Sequence, residues 1–172
     1  MGKPKGDFES EVDAAYPALA RAAVVLCWSK ADAEDVVQET MLRMCKSYDS
    51  FRGDSSFLTW VYAILVRVAE AANRRRSKTL PAEYAAHQAQ ELPPVDNAVI
   101  DDENKRRMID AIRSLPQRQR EMITLHFLQE LPYAEIAGAL GVSVGTVKAT
   151  VFAAKKSLRS ALTATITPGS QP

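Results

Sequence analysis

Pro132-Tyr-Ala-Glu-Ile-Ala-Gly-Ala-Leu140, then Gly141-Val-Ser143, then Val144-Gly-Thr-Val-Lys148 has the spacing of a helix-turn-helix. Ile136, Ala137 and Leu140 give the first helix a small apolar face. Gly141 admits the left-handed backbone of a sharp turn, and Ser143 is a natural cap for the helix that follows. Along that second helix Val147, Val151, Ala154 and Leu158 recur at helical spacing and should point inward. Ser143, Gly145, Thr146, Lys148, Ala149, Phe152 and Ala153 are left outside, and no acidic residue follows Glu135. A basic, acid-free second helix suits entry into the major groove of DNA, whereas a plain helical hairpin needs neither the turn nor the charge.

Outward from this unit, almost every segment with a clear period reads as helix, and no alternating strand pattern or Asn-Gly hairpin signal appears. The expected fold is all-α: two small helical domains, residues 7–78 and 101–164, joined by a flexible acidic linker over residues 79–100. A first helix spans about Asp7 to Ser29, with Pro17 as a point of bending. The next begins at Asp32 as N-cap, with Asp35 as the capping-box acid. Its stripe Val37, Met41, Met44 and Tyr48 faces inward and leaves Glu34, Asp35, Gln38 and Glu39 outside. Phe51-Arg-Gly-Asp54 is a turn, and a third helix carries Phe57, Trp60, Val61, Ile64 and Val68 on one face before running into Arg74-Arg-Arg76. Pro81, Pro93 and Pro94 with the surrounding acids read as linker, with at most a short helix near residues 82–89. The second domain reads as a helix to Leu115, a break at Pro116, a helix over Gln117 to Gln129, and the helix-turn-helix.

The formal net charge is only +1, but the charge is segregated. Arg67, Arg74, Arg75, Arg76 and Lys78 stand against Glu70 alone, and Lys148, Lys155, Lys156 and Arg159 meet no acid. Between them Glu83, Glu91, Asp96, Asp101, Asp102 and Glu103 meet no Lys or Arg. Two basic blocks separated by an acidic stretch predict two phosphate-facing surfaces on separate modules. The polar start of the chain has no signal-peptide core and no apolar run spans a bilayer, which predicts a cytoplasmic protein. Cys27 and Cys45 fall in apolar helical patterns and are expected to be buried, reduced and inert. With two His in plain contexts and no phosphate loop, metal spacing or nucleophile–base pair, no enzyme, metal or cofactor is expected.

Leu115-Pro-Gln-Arg-Gln-Arg-Glu121, Leu131-Pro-Tyr-Ala-Glu-Ile-Ala137 and Gly141-Val-Ser-Val-Gly-Thr-Val-Lys148 closely resemble the promoter-binding C-terminal domain of extracytoplasmic-function sigma factors. Asp32-Ala-Glu-Asp-Val-Val-Gln-Glu39, Phe51-Arg-Gly-Asp54 and Phe57-Leu-Thr-Trp60 resemble that family's N-terminal domain, in the same order and spacing. The resemblance implies a promoter-recognition subunit acting on core RNA polymerase, through its largest-subunit clamp helices and its flap, and held in check by an anti-sigma factor. It implies polymerase contact by Asp35, Gln38, Glu39 and Leu42. It implies downstream-promoter contact by Trp60, Tyr62, Arg67, Arg74 and Arg75, and upstream-promoter contact by Ser143, Gly145, Thr146, Lys148, Ala149 and Phe152. Trp60 also lies on the inward stripe, so core packing and base stacking are both open to it.

Several positions depart from the family pattern. Ala63 and Val66 stand where basic residues are usual, and Arg67 replaces a base-reading Asn. Ala149, Thr150 and Ala153 replace Ser, Arg and Arg. Such changes imply promoter sequences other than the family's usual ones. They also keep open a sigma-like decoy that titrates an anti-sigma factor, beside a stand-alone helix-turn-helix regulator. No small-molecule substrate is expected.

Overall fold

The computed structural model describes residues 5–79 and 103–166. Helix α1 covers Lys5–Leu26 and takes Pro17 into its length. Helix α2 covers Lys30–Ser47, so it starts earlier than the Asp32 cap expected from sequence. Ser29 is the cap: its Oγ accepts from the Asp32 amide at 3.1 Å and donates to the Asp32 carboxylate at 2.6 Å. Asp32 thus occupies the first turn as the acid of the box, where the helix dipole favours it. Arg76 reaches the same carboxylate at 2.5 Å and ties the start of α2 to the next helix.

The inward face of α2 is Ala33, Val36, Val37, Thr40 and Met44, with Met41 and Tyr48 only half-buried. Cys27 is buried, and desolvation pushes its thiol up to about 12. Cys45 is exposed, against expectation, because it sits one residue beyond Met44 and turns away from that face. The turn after α2 passes through Gly53 at φ 79°, and helix α3 then covers Phe57–Thr79.

Helix α4 covers Glu103–Arg113 and α5 covers Gln117–Ile123, winding on as a π-helical turn over Thr124–Leu128. Leu131 N–H closes back onto the Leu125 carbonyl at 3.0 Å, with Glu130 between them at φ 56°. Helix α6 covers Tyr133–Leu140 and ends at Gly141, φ 66°, with Val142 N–H bonded to the Ala137 carbonyl. Helix α7 covers Val144–Ile166. The linker and the short helix near residues 82–89 lie outside the described residues. Among the described residues there is no strand, and no single helix is long and apolar enough to cross a membrane.

The two halves touch. α3 packs on α1 and α2 with one side and on α6 with another, and α1 also meets α4 and α5. One apolar core therefore runs from Leu19, Leu26 and Leu65 through Ile112 and Leu115 to Ile136 and Val151. This explains why α3 is buried almost all round between Thr59 and Ala69, where one packed face would leave the other side to solvent.

Candidate nucleic-acid interface

Ser143 caps α7 by accepting from the Thr146 amide at 3.0 Å, while its hydroxyl meets that of Thr146 at 2.8 Å. Val147, Val151 and Ala154 are buried to within 1% and fix the helix on α5 and α6. Ser143, Gly145, Thr146, Lys148 and Ala149 are exposed, and Phe152 is 73% exposed. All the residues assigned upstream contact from sequence are thus exposed, Ser143 at the cap of α7 and the others on its open side. A bare phenyl ring at that exposure is costly in water and gains from covering an apolar base edge such as a thymine methyl.

On α2, Asp35 and Gln38 are exposed and Leu42 is 56% exposed. Glu39 is half-buried, and a 2.7 Å hydrogen bond from Arg43 holds its carboxyl below the usual range. Beside them a groove of about 320 Å³ opens between α2 and α3, floored by Val36, Val68 and Ala72 and edged by Asp35, Glu39 and Arg75. Arg43 also lines the edge, so two carboxylates and two guanidiniums surround that apolar floor, and Leu42 stands exposed on the same helix.

The downstream candidates divide. Trp60 is half-buried in an aromatic group with Phe51 and Phe57, at centroid distances of 5.0 and 5.8 Å. It also walls a cleft of about 210 Å³ with Ser50, Phe51, Arg52, Asp54 and Ser55. Flat rings, hydroxyls and a guanidinium around a cleft of that size suit one unstacked base. Arg67, Arg74 and Arg75 are exposed along α3. Tyr62 is fully buried and donates its hydroxyl hydrogen to Gln129, away from the three arginines, and burial pushes its phenol up.

Tyr62 belongs to a seam that sequence reasoning missed. Thr59, Tyr62, Ala63, Val66 and Glu70 follow at spacings of three, one, three and four residues, so they share one side of α3. Thr59 donates to Glu135 of α6, and Arg118 of α5 sits 3.0 Å from Glu70. Ala63 and Val66 are 8% and 1% exposed. The apolar residues standing at usually basic positions therefore lie inside the protein in this arrangement. Further along, the buried Arg113 guanidinium donates twice to the Val24 carbonyl, at 3.1 and 2.6 Å, and Arg120 stacks 5.9 Å from the Trp28 ring. These polar partners left one trace in the sequence, a second small-or-polar stripe on α3 opposite the Val61, Leu65 and Val68 face.

Two helical halves, one a helix-turn-helix with an open basic face and one with an aromatic–arginine cleft, define a DNA-binding transcription protein. Residues 12–79 match Sigma-70 region 2, and residues 105–158 match Sigma-70, region 4. The ECF RNA polymerase sigma-E factor of Salmonella typhimurium is 34% identical over 137 residues, covering 74% of this chain and 72% of that one. The sigma-E factor of Haemophilus influenzae is 33% identical over 142 residues, covering 77% and 75%. Among solved structures, the sigma factor RpoE in complex with the anti-sigma factor NepR from Bartonella quintana superposes with a TM-score of 0.73 at 26% identity, covering 91% of this chain and 97% of that one. CnrH, in complex with the cytosolic domain of CnrY, shares the fold at a TM-score of 0.68 and 23% identity, covering 94% and 90%. The chain belongs to the sigma-70 family, in its extracytoplasmic-function branch of RNA polymerase sigma factors.

Proposed function

We propose that this chain is an alternative sigma factor that brings core RNA polymerase to its own set of promoters and helps open them. On this reading α7 reads the upstream element through Gly145, Thr146, Lys148, Ala149 and Phe152. The Trp60 cleft takes a base of the opened downstream strand, and Arg67, Arg74 and Arg75 track its phosphates. Asp35, Gln38, Glu39 and Leu42 dock the clamp helices of the largest subunit, with the flap as a second polymerase contact. The chain is a binding subunit and not an enzyme, and it works in the cytoplasm. The observation that carries the reading is the split of α7, with Val147, Val151 and Ala154 sealed into the core while every candidate contact stays open.

The seam adds a condition. Tyr62 is covered by Gln129, so the downstream-strand surface is complete only when the end of the π-helical turn, together with α6, leaves α3. Docking on polymerase is the event that separates the halves, and an anti-sigma factor, as NepR is for RpoE of Bartonella quintana, is the partner that opposes it. Run-off transcription with purified core polymerase and a genomic promoter library, with and without the chain, tests the whole. A defined set of new transcripts supports it. Specific promoter binding without polymerase favours a stand-alone regulator, and anti-sigma binding without any transcript favours a decoy.

A further inference from the structure

We infer that Lys155, further along the recognition helix, and Phe127, from the π-helical turn beside it, form a second phosphate-binding element, in which Lys155 touches the DNA backbone and Phe127 positions it. The inference rests on the upstream reading proposed for α7 and extends it to residues outside the helix-turn-helix motif. The Lys155 ammonium lies 4.8 Å from the centroid of the Phe127 ring. That ring comes from the π-helical turn after α5 and is 50% exposed, so the pair sits at the surface and not in the core. Phe127 is itself held: His126 meets it edge-on at 4.6 Å, Tyr133 packs against His126 at 4.5 Å, and His126 Nδ1 lies 3.0 Å from the Leu131 carbonyl oxygen. A lysine with four free torsions gains order from a fixed ring face whose negative quadrupole attracts the ammonium.

The placement points to DNA. Lys148, Phe152, Lys155 and Arg159 follow one another at intervals of four, three and four residues, which puts them on one exposed stripe of α7. No acid follows Glu135 in the chain, and among the described residues no carboxylate pairs with Lys155. At 1.5 Å of rise per residue Lys155 lies roughly 10 Å along the axis from Lys148. The major groove is about 12 Å wide. With Lys148 in the groove, Lys155 stands at its wall, where the phosphates are. A cation pre-set there fixes the helix on the duplex without reading sequence.

The test is holoenzyme, assembled from core polymerase and the full chain, binding a labelled promoter duplex across a salt titration. Lys155→Gln should weaken binding about three- to tenfold, equally on all promoter sequences, and shallow the slope of log K against log salt by about one. Phe127→Leu should weaken binding in the same sequence-independent way, and Phe127→Tyr, which keeps the ring face, should restore it. Melting temperature should stay within about 2 °C for Lys155→Gln, an exposed site. Lys148→Ala serves as the reference. If it weakens binding while Lys155→Gln leaves affinity and slope at the parent values, the second element is overturned and the recognition helix stands. If Lys148→Ala is also without effect, both readings fall. A Phe127→Leu loss that Phe127→Tyr does not rescue overturns the positioning role of the ring.

Discussion

Thr59 of α3 donates its hydroxyl hydrogen to the Glu135 carboxylate of α6 across 76 residues of chain. One residue lies in the segment that matches Sigma-70 region 2 and the other in the segment that matches Sigma-70, region 4. The contact therefore joins the two halves directly. Tyr62 and Gln129 repeat the arrangement one turn further along α3.

Tyr62→Phe removes the hydroxyl and leaves the half-buried Gln129 amide without that partner. It should cost about 1 to 2 kcal/mol of stability. Amide exchange should quicken along Thr59 to Val66 and on α6, while the middle of α7 keeps its protection. Uniform loosening of all helices would count against a seam that opens as a unit.

Arg113 is 5% exposed and gives two hydrogen bonds to the Val24 carbonyl near the end of α1, where the helix dipole also favours a cation. Arg113→Met keeps the aliphatic stem and removes the charge and the donors. Urea unfolding should show a loss of about 2 to 3 kcal/mol, the range for a buried charged hydrogen bond. A loss under half of that would show the site relaxing around the shorter side chain.

Glu130 is exposed and holds φ 56°, the left-handed region where glycine is at ease. It follows Gln129, the cap of the π-helical turn, at a helix-end position where glycine is favoured. Glu130→Gly should raise stability by about 1 kcal/mol and the melting temperature by roughly 2 to 4 °C. No contact needs to be gained for this; the strain is simply relieved.

Glu121 is 2% exposed, and desolvation raises its carboxyl to about 7, against opposing hydrogen bonds from Gln117 and from Arg118 at 3.2 Å. The folded state thus holds a proton that the unfolded chain releases near pH 4.5. The stabilisation linked to that proton is complete below about 4.5 and is lost as pH rises through about 7. Glu121→Gln should flatten this dependence, and at pH 8 the variant should be the more stable protein by an amount on the order of 2 kcal/mol. Parallel pH–stability curves for parent and variant would contradict the assignment.

Replacing Gln38 and Glu39 by Ala should reduce core-polymerase affinity by about tenfold. Helicity and melting should hardly move, because neither side chain belongs to the packed face of α2. A pull-down with parental affinity would remove this surface from the proposal.

Periodicity and turn chemistry made much of the fold legible. Gly141 at φ 66°, the Ser143 cap and the sealed Val147 and Val151 all follow from local rules that act within a few residues. The start of α2 shows the limit of such rules: Ser29 and Asp32 are both good caps three residues apart, and Asp32 is drawn instead into contacts with Ser29 and with the distant Arg76. The exposed candidates of α2 and α7 were readable because each is what remains after the apolar stripe is subtracted. The seam was not readable. Thr59, Gln129, Glu135 and Arg113 are single polar residues whose partners lie across the chain, and no period in the sequence records a pairing of that range. The same blindness put Tyr62 with the open arginines, although only a second packed face separates it from them.

Tyr62 is covered while Lys148 and Phe152 are open, so on the proposed reading the upstream surface is free in the joined and the separated form alike, and the Tyr62 part of the downstream surface only in the separated one. On the proposed reading, every 1.4 kcal/mol by which the joined form is favoured lowers the apparent affinity for the downstream strand tenfold and leaves the upstream affinity untouched. On that reading the free energy of one intramolecular seam is a threshold that polymerase docking has to overcome before the downstream strand can be held.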